Sequence, residues 1–128
     1  MIFVSLAFAA PYDVLKTRDE VGCPFERSDR DELIRLAEDV TMQPSWVAVR
    51  AAGCALDWGD DPVVAAKAVA WMTDAERPGL ALVVAGRIES LPAGVAEACR
   101  AAVPTIADER WRKRVEKRLA VDAGTGRE

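Results

Sequence analysis

The chain contains no histidine. That removes Ser-His-Asp and Cys-His nucleophile systems, imidazole general bases and every histidine-ligated metal site. Cysteine is sparse, at Cys23, Cys54 and Cys99 only, with no CxxC pair. No glycine-rich phosphate loop occurs either, so the strong signatures of metal and nucleotide sites are absent. Positive charge is not in excess: 17 basic against 21 acidic residues leave a formal net charge of -4. An acidic chain has no global electrostatic reason to bind nucleic acid. No apolar run reaches the roughly 20 residues that a membrane-crossing helix needs, so no transmembrane segment is expected. After residue 10, β-branched runs alternating at period two are also missing, which argues against strands.

What remains is an ordinary globular composition: 128 residues, 51% hydrophobic and 30% charged, enough for one domain. The longest apolar stretch is Met1 to Ala10, and it carries the small-x-small triplet Ala7-Phe8-Ala9. Residues 1–9 are therefore a candidate signal peptide, cut after Ala9, which places the protein outside the cytoplasm or in a periplasm. No basic residue precedes the stretch, and the alternative is a buried N-terminal strand or helix end in a cytoplasmic protein. The cysteines leave the same choice open. An exported chain could join Cys23 to Cys54 and bury Cys99 as a small apolar residue; a cytoplasmic one would hold three reduced thiols.

Residues 10–27 read as an irregular N-terminal segment, 28–121 as a helical domain and 122–128 as a disordered tail. Ser28 with Asp31 resembles a capping box opening a helix with Leu33, Leu36, Ala37 and Val40 inward. Pro44 starts a second helix carrying Trp46, Val49, Gly53 and Leu56. Asp61-Pro62 is an N-cap followed by an N1 proline, with Val64, Ala68, Val69 and Met72 inward. Asp74 and Pro78 begin a fourth helix, Pro92 and Gly94 punctuate before a fifth, and Asp108 caps a last one with Trp111, Val115 and Leu119 on one stripe.

These helix starts fall at even intervals of about 31–33 residues, inside the range of helical repeat arrays. Ala51-Ala52-Gly53 in the second helix lines up with Val84-Ala85-Gly86 in the fourth, small residues that let paired helices approach closely. Val49-Arg50-Ala51-Ala52-Gly53-Cys54-Ala55-Leu56 resembles the second-helix signature of bacterial HEAT-like repeats, and the Asp60-Asp61-Pro62 turn is similar to turns between such repeats. The resemblance covers residues 29–121. Val83 stands where the arginine of the middle repeat would be, and the last repeat is heavily charged. It implies an all-α fold, a short right-handed α-solenoid of about three antiparallel helix pairs that binds proteins. The alternative is an irregular six-helix bundle.

Functional candidates are few. Asp57, Asp60 and Asp61 surround Trp58-Gly59. Their spacing is not that of an EF-hand loop, and aspartates at a helix start account for them without a metal. Trp58 is the candidate exposed aromatic anchor, since such residues dominate binding hot spots. Arg112 and Lys113 belong to the concentrated basic patch of the last helix, whose other cations are Arg110, Arg114, Lys117 and Arg118. That helix reads as the solvated cap of an array. The expectation is thus a scaffold or interaction module for an unidentified protein, contacting it through Trp58, Asp57, Asp60, Arg112 and Lys113. No catalytic residue, metal or cofactor is assigned. The alternative is an enzyme, or a subunit of one, working through the loop carboxylates.

Overall fold

A computed structural model of the chain describes residues 11–17, 23–74 and 76–123. The proposed cleavage after Ala9 and the tail from residue 124 onward lie outside these. Among the described residues there are seven α-helices and no strand. The helices are α1 (Pro11–Thr17), α2 (Arg30–Glu38), α3 (Trp46–Ala55), α4 (Pro62–Met72), α5 (Pro78–Gly86), α6 (Ala93–Ala102) and α7 (Glu109–Ala123). Short 3-10 turns at Arg27–Asp29, Leu56–Trp58, Ile88–Ser90 and Val103–Thr105 lead into or out of them.

Local chemistry explains most of the boundaries. Asp61 caps α4 by accepting a hydrogen bond from the Val63 backbone N–H at 2.8 Å, and Pro62 opens the helix where no N–H is needed. Asp108 accepts from the Trp111 N–H at 2.9 Å and so caps α7. Pro78 lies in the first turn of α5. At α2 the outcome differs from the Ser28–Asp31 box. The Glu26 N–H donates to the Asp29 carboxylate at 3.0 Å, which closes the preceding 3-10 turn, and α2 starts at Arg30. Within the segment 10–27, α1 occupies residues 11–17 and buries Leu15 completely.

Packing follows chain order. α2 packs on α3 and α4 on α5; α3 packs on α5 and α5 on α7; α4 packs on α6; and α1 lies against α3. The starts of α2, α4 and α6 (Arg30, Pro62, Ala93) and of α3, α5 and α7 (Trp46, Pro78, Glu109) each advance by 32 and then 31 residues. Where α3 meets α5, Ala51, Ala52, Ala81 and Ala85 are all fully buried, so the two backbones come close. The core is completed by Leu33, Leu36, Val47, Val64, Trp71, Met72, Val84, Ile88, Cys99 and Val115.

Val40, Trp46 and Val49, assigned to the core from periodicity, are outside it, as is Ala98 of α6. Val40 is 65% exposed because α2 stops at Glu38, and Met42 turns inward in its place. Trp46 and Val49 are 40% and 39% exposed. α3 buries Val47, Ala51, Ala52, Cys54 and Ala55 between α2, α5 and α1, which rotates its buried face away from Trp46. Trp46 instead stacks against the Arg50 guanidinium, 5.8 Å from the ring centre.

Candidate functional site

The carboxylates of the α3–α4 turn are held by arginines from other elements. Asp57 pairs with Arg87, which follows α5, and Asp60 lies 3.6 Å from Arg27. Asp61 is buried, and it accepts hydrogen bonds from Arg30 Nη1 at 2.8 Å and Arg27 Nη1 at 3.3 Å besides capping α4. Burial alone would raise the Asp61 pKa. The Arg30 hydrogen bond and the Val63 N–H outweigh it, and the carboxyl sits below its ordinary value. Ionised carboxylates tied to guanidinium groups fasten elements together; they are poorly suited to accept a proton from a substrate. Among the described residues no group of three or more acidic or cysteine side chains is placed to hold a metal ion.

Trp58, expected as an exposed anchor, is half-buried and packs against the core. Its neighbour explains why the turn is so close to the body of the protein. Gly59 is buried, and a Cβ there would meet Leu91 Cδ2 at 2.7 Å and Pro92 Cδ at 3.2 Å. A side chain at this position would have to displace Leu91 for the turn to sit as closely against the start of α6.

On α7, Arg112 Nη1 donates to the Ile106 carbonyl at 3.1 Å and faces Glu116 at 3.9 Å, while Lys113 pairs with Glu109 at 3.2 Å. The five sequence-chosen residues thus form two groups, Asp57, Trp58 and Asp60 on the α3–α4 turn and Arg112 with Lys113 on α7. No ion pair among the described residues joins the groups.

Cys23 and Cys54 form a disulfide, with Cα atoms 5.3 Å apart, that ties the segment after α1 to the last turn of α3. The Arg50 guanidinium donates to the Leu15 carbonyl and the Tyr12 hydroxyl to the Gln43 carbonyl at 2.7 Å, so α1 is fixed to the body at three points. Cys99 is a free thiol on the buried face of α6, and burial pushes its pKa up to about 11, which leaves it inert at neutral pH.

Sequence reasoning missed two features. Glu38, at the end of α2, accepts from Lys67 Nζ at 2.9 Å and from the Trp71 indole N–H at 3.0 Å, linking α2 to α4. The 33-residue separation of Glu38 and Trp71 is close to the repeat interval, and that was the signal available. The second feature is a set of surface clefts. One of about 180 Å³ lies between α2, α3 and α5, lined by Val40, Met42, Val49, Arg77 and Leu80. Another of about 350 Å³ is bounded by Pro78, Ile106 and Trp111. A third, of about 370 Å³, runs between Leu82 of α5 and Arg114, Lys117 and Arg118 of α7. Comparison with protein-family models, curated proteins and solved structures finds no match to this chain.

Proposed function

We propose that the chain is a short HEAT-like array, a right-handed α-solenoid of three antiparallel helix pairs (α2–α3, α4–α5, α6–α7), that serves as a protein-interaction module without chemistry of its own. One observation carries this reading: the succession α3–α5–α7 on one side and α4–α6 on the other, each helix packed on its counterpart one repeat interval away. Such stacking is how repeat arrays bury a continuous core, and they present extended faces to partners. The partner-facing residues are Asp57, Trp58 and Asp60 on the α3–α4 turn and Arg112 and Lys113 on α7. The arginine pairing of the loop carboxylates weighs against the alternative of an enzyme acting through them. Among the described residues no helix is long and apolar enough to cross a membrane.

Export is the compartment we assign. The Cys23–Cys54 disulfide supports it, because such bonds persist in oxidising surroundings and are rare in the cytosol.

Affinity capture from native cell fractions tests the function. The expected result is one protein retained in stoichiometric amount, recovered from an extracytoplasmic fraction and displaced by free chain. Retention of no protein by correctly folded, immobilised chain overturns the reading.

A further inference from the structure

Of the basic side chains in the described residues, most face a carboxylate: Arg27, Arg30, Arg35, Lys67, Arg77, Arg87, Arg100, Arg112 and Lys113 all lie within 4 Å of one. Four that do not are gathered on one helix. Arg110, Arg114, Lys117 and Arg118 have no carboxylate partner among the described residues, and all four are exposed. Their spacing of i, i+4, i+7 and i+8 places them on a single face of α7, spanning roughly 12 Å. The two described glutamates of α7 serve the other cations, Glu109 with Lys113 and Glu116 with Arg112. In a chain of net charge -4, four cations on one face with no carboxylate partner among the described side chains are a local reversal of sign.

The internal geometry also indicates what this face lacks. Arg87 and Arg118 each lie nine residues after the start of their helix, α5 and α7. Both guanidinium groups rest on a glycine of the preceding second helix. The Arg87 Nη1 lies 3.9 Å from where a Cβ of Gly53 would be, and Arg118 Nη2 lies 2.8 Å from that of Gly86. Arg87 receives a carboxylate, Asp57, from the turn after α3. Counted from the paired glycines, the residue corresponding to Asp57 is Ser90, which carries no charge, and its neighbour Glu89 is turned to Arg100 at 3.2 Å. Arg118 therefore lies against Gly86, over the groove shared with Leu82, Arg114 and Lys117, and no carboxylate among the described side chains pairs with it.

We propose that this groove is a binding site for the side-chain carboxylates of an acidic protein segment, which take at Arg118 the place that Asp57 takes at Arg87. Planar guanidinium groups match carboxylates in two-point hydrogen bonding, and Lys117 adds a point charge. Leu82 supplies an apolar wall for the methylene stem of a glutamate. An anionic membrane is the less suitable occupant. The large exposed apolar residues among those described, Val40, Trp46, Val49 and Val63, are all on other elements, so none of them gives α7 an apolar anchor for a bilayer. The inference deepens the interaction-module reading by naming the partner's chemistry, and it can fail without that reading failing.

The test is titration of a fluorescein-labelled hexaglutamate peptide with the full chain, followed by anisotropy at low salt. Two double variants with equal change in charge are compared, Lys117→Gln/Arg118→Gln in the groove and Arg35→Gln/Arg100→Gln away from it, each checked for unchanged helical circular dichroism. Saturable binding is expected, weakened on the order of tenfold by the groove pair and less than about twofold by the distant pair. Equal loss in both variants means a response to net charge alone and overturns the proposal. Absence of peptide binding overturns it too, as does a groove-dependent association with phosphatidylserine vesicles that is unaccompanied by peptide binding. None of these results bears on how the helix pairs stack, which is read by other means.

Discussion

Trp71 is the largest fully buried side chain, and its indole N–H is spent on Glu38, so one residue both fills the core and satisfies a polar group that joins α2 to α4. Truncating it leaves a cavity and removes one of the two donors to Glu38, leaving Lys67 as its partner. Trp71→Ala is expected to cost roughly 3–5 kcal/mol in urea denaturation, a large part of a domain's stability. Trp111 is the contrasting case. The sequence reading placed it in the core, but it is half-buried beside an open cleft with the Arg114 guanidinium 5.0 Å from its ring, and Val115 is the α7 residue that is sealed. Trp111→Ala should therefore cost only about 1–2 kcal/mol, less than half the Trp71 figure. Equal losses for the two would contradict this assignment of burial. At the same scale, Asp61, Asp39 and Glu32 have carboxyls below their ordinary values. Asp61 is lowered by Arg30 and Val63 against the opposing effect of burial, Asp39 by Thr41, and Glu32 by Arg35. A carboxyl depressed in the folded state adds stability that is present above its unfolded pKa and lost as pH falls through the folded one. The melting temperature should hold from neutrality to about pH 5 and fall below about pH 4. In Asp61→Asn the fall should be shallower and the neutral-pH melting temperature several degrees lower, because the amide can still cap α4 but the two arginine contacts lose their charge.

At the scale of elements, α1 and the segment after it are the part of the molecule least supported by packing alone. α1 has seven residues, too few to be stable in isolation, and it is held by Leu15, two hydrogen bonds to backbone carbonyls and the disulfide that follows it. Reduction of Cys23–Cys54 reopens a loop of 31 residues and is expected to remove about 3 kcal/mol of stability. Hydrogen exchange should quicken in α1 well before α4 and α5 on adding a reductant; uniform acceleration would show that the disulfide supports the whole body instead. This element was only half legible in the sequence, since its anchoring depends on Arg50, Gln43 and Cys54, more than 30 residues away. Helix starts were legible because Asp61-Pro62, Pro78 and Asp108 act on their immediate neighbours. The face of α3 was not. It is covered on several sides by α1, α2 and α5, and which of its residues turn inward is set by those neighbours, so Val47 and the alanines are buried while the larger Trp46 and Val49 stay partly in water. The same distinction applies to the candidate site. Asp57, Asp60 and Asp61 stand out as an acidic turn, but their arginines lie 30 or more residues away or on another helix, and no local pattern announces them.

The whole molecule is organised by one interval. Six of its helices begin in two series with identical steps, and α5, α6 and α7 pack on the helices one step earlier, α3, α4 and α5. If packing of that kind governs stability, free energy is nearly a sum over pairs and their interfaces, and damage to one pair is felt most by its neighbour. An irregular bundle with one shared core would respond as a unit. The decisive measurement is native-state hydrogen exchange on the intact chain and on Val115→Ala, which opens a cavity where α7 meets the core. The expected result is a graded loss of protection, full in α7, partial in α5 on which it packs, and least in α2. An equal loss of protection in all six helices would contradict the stacked array.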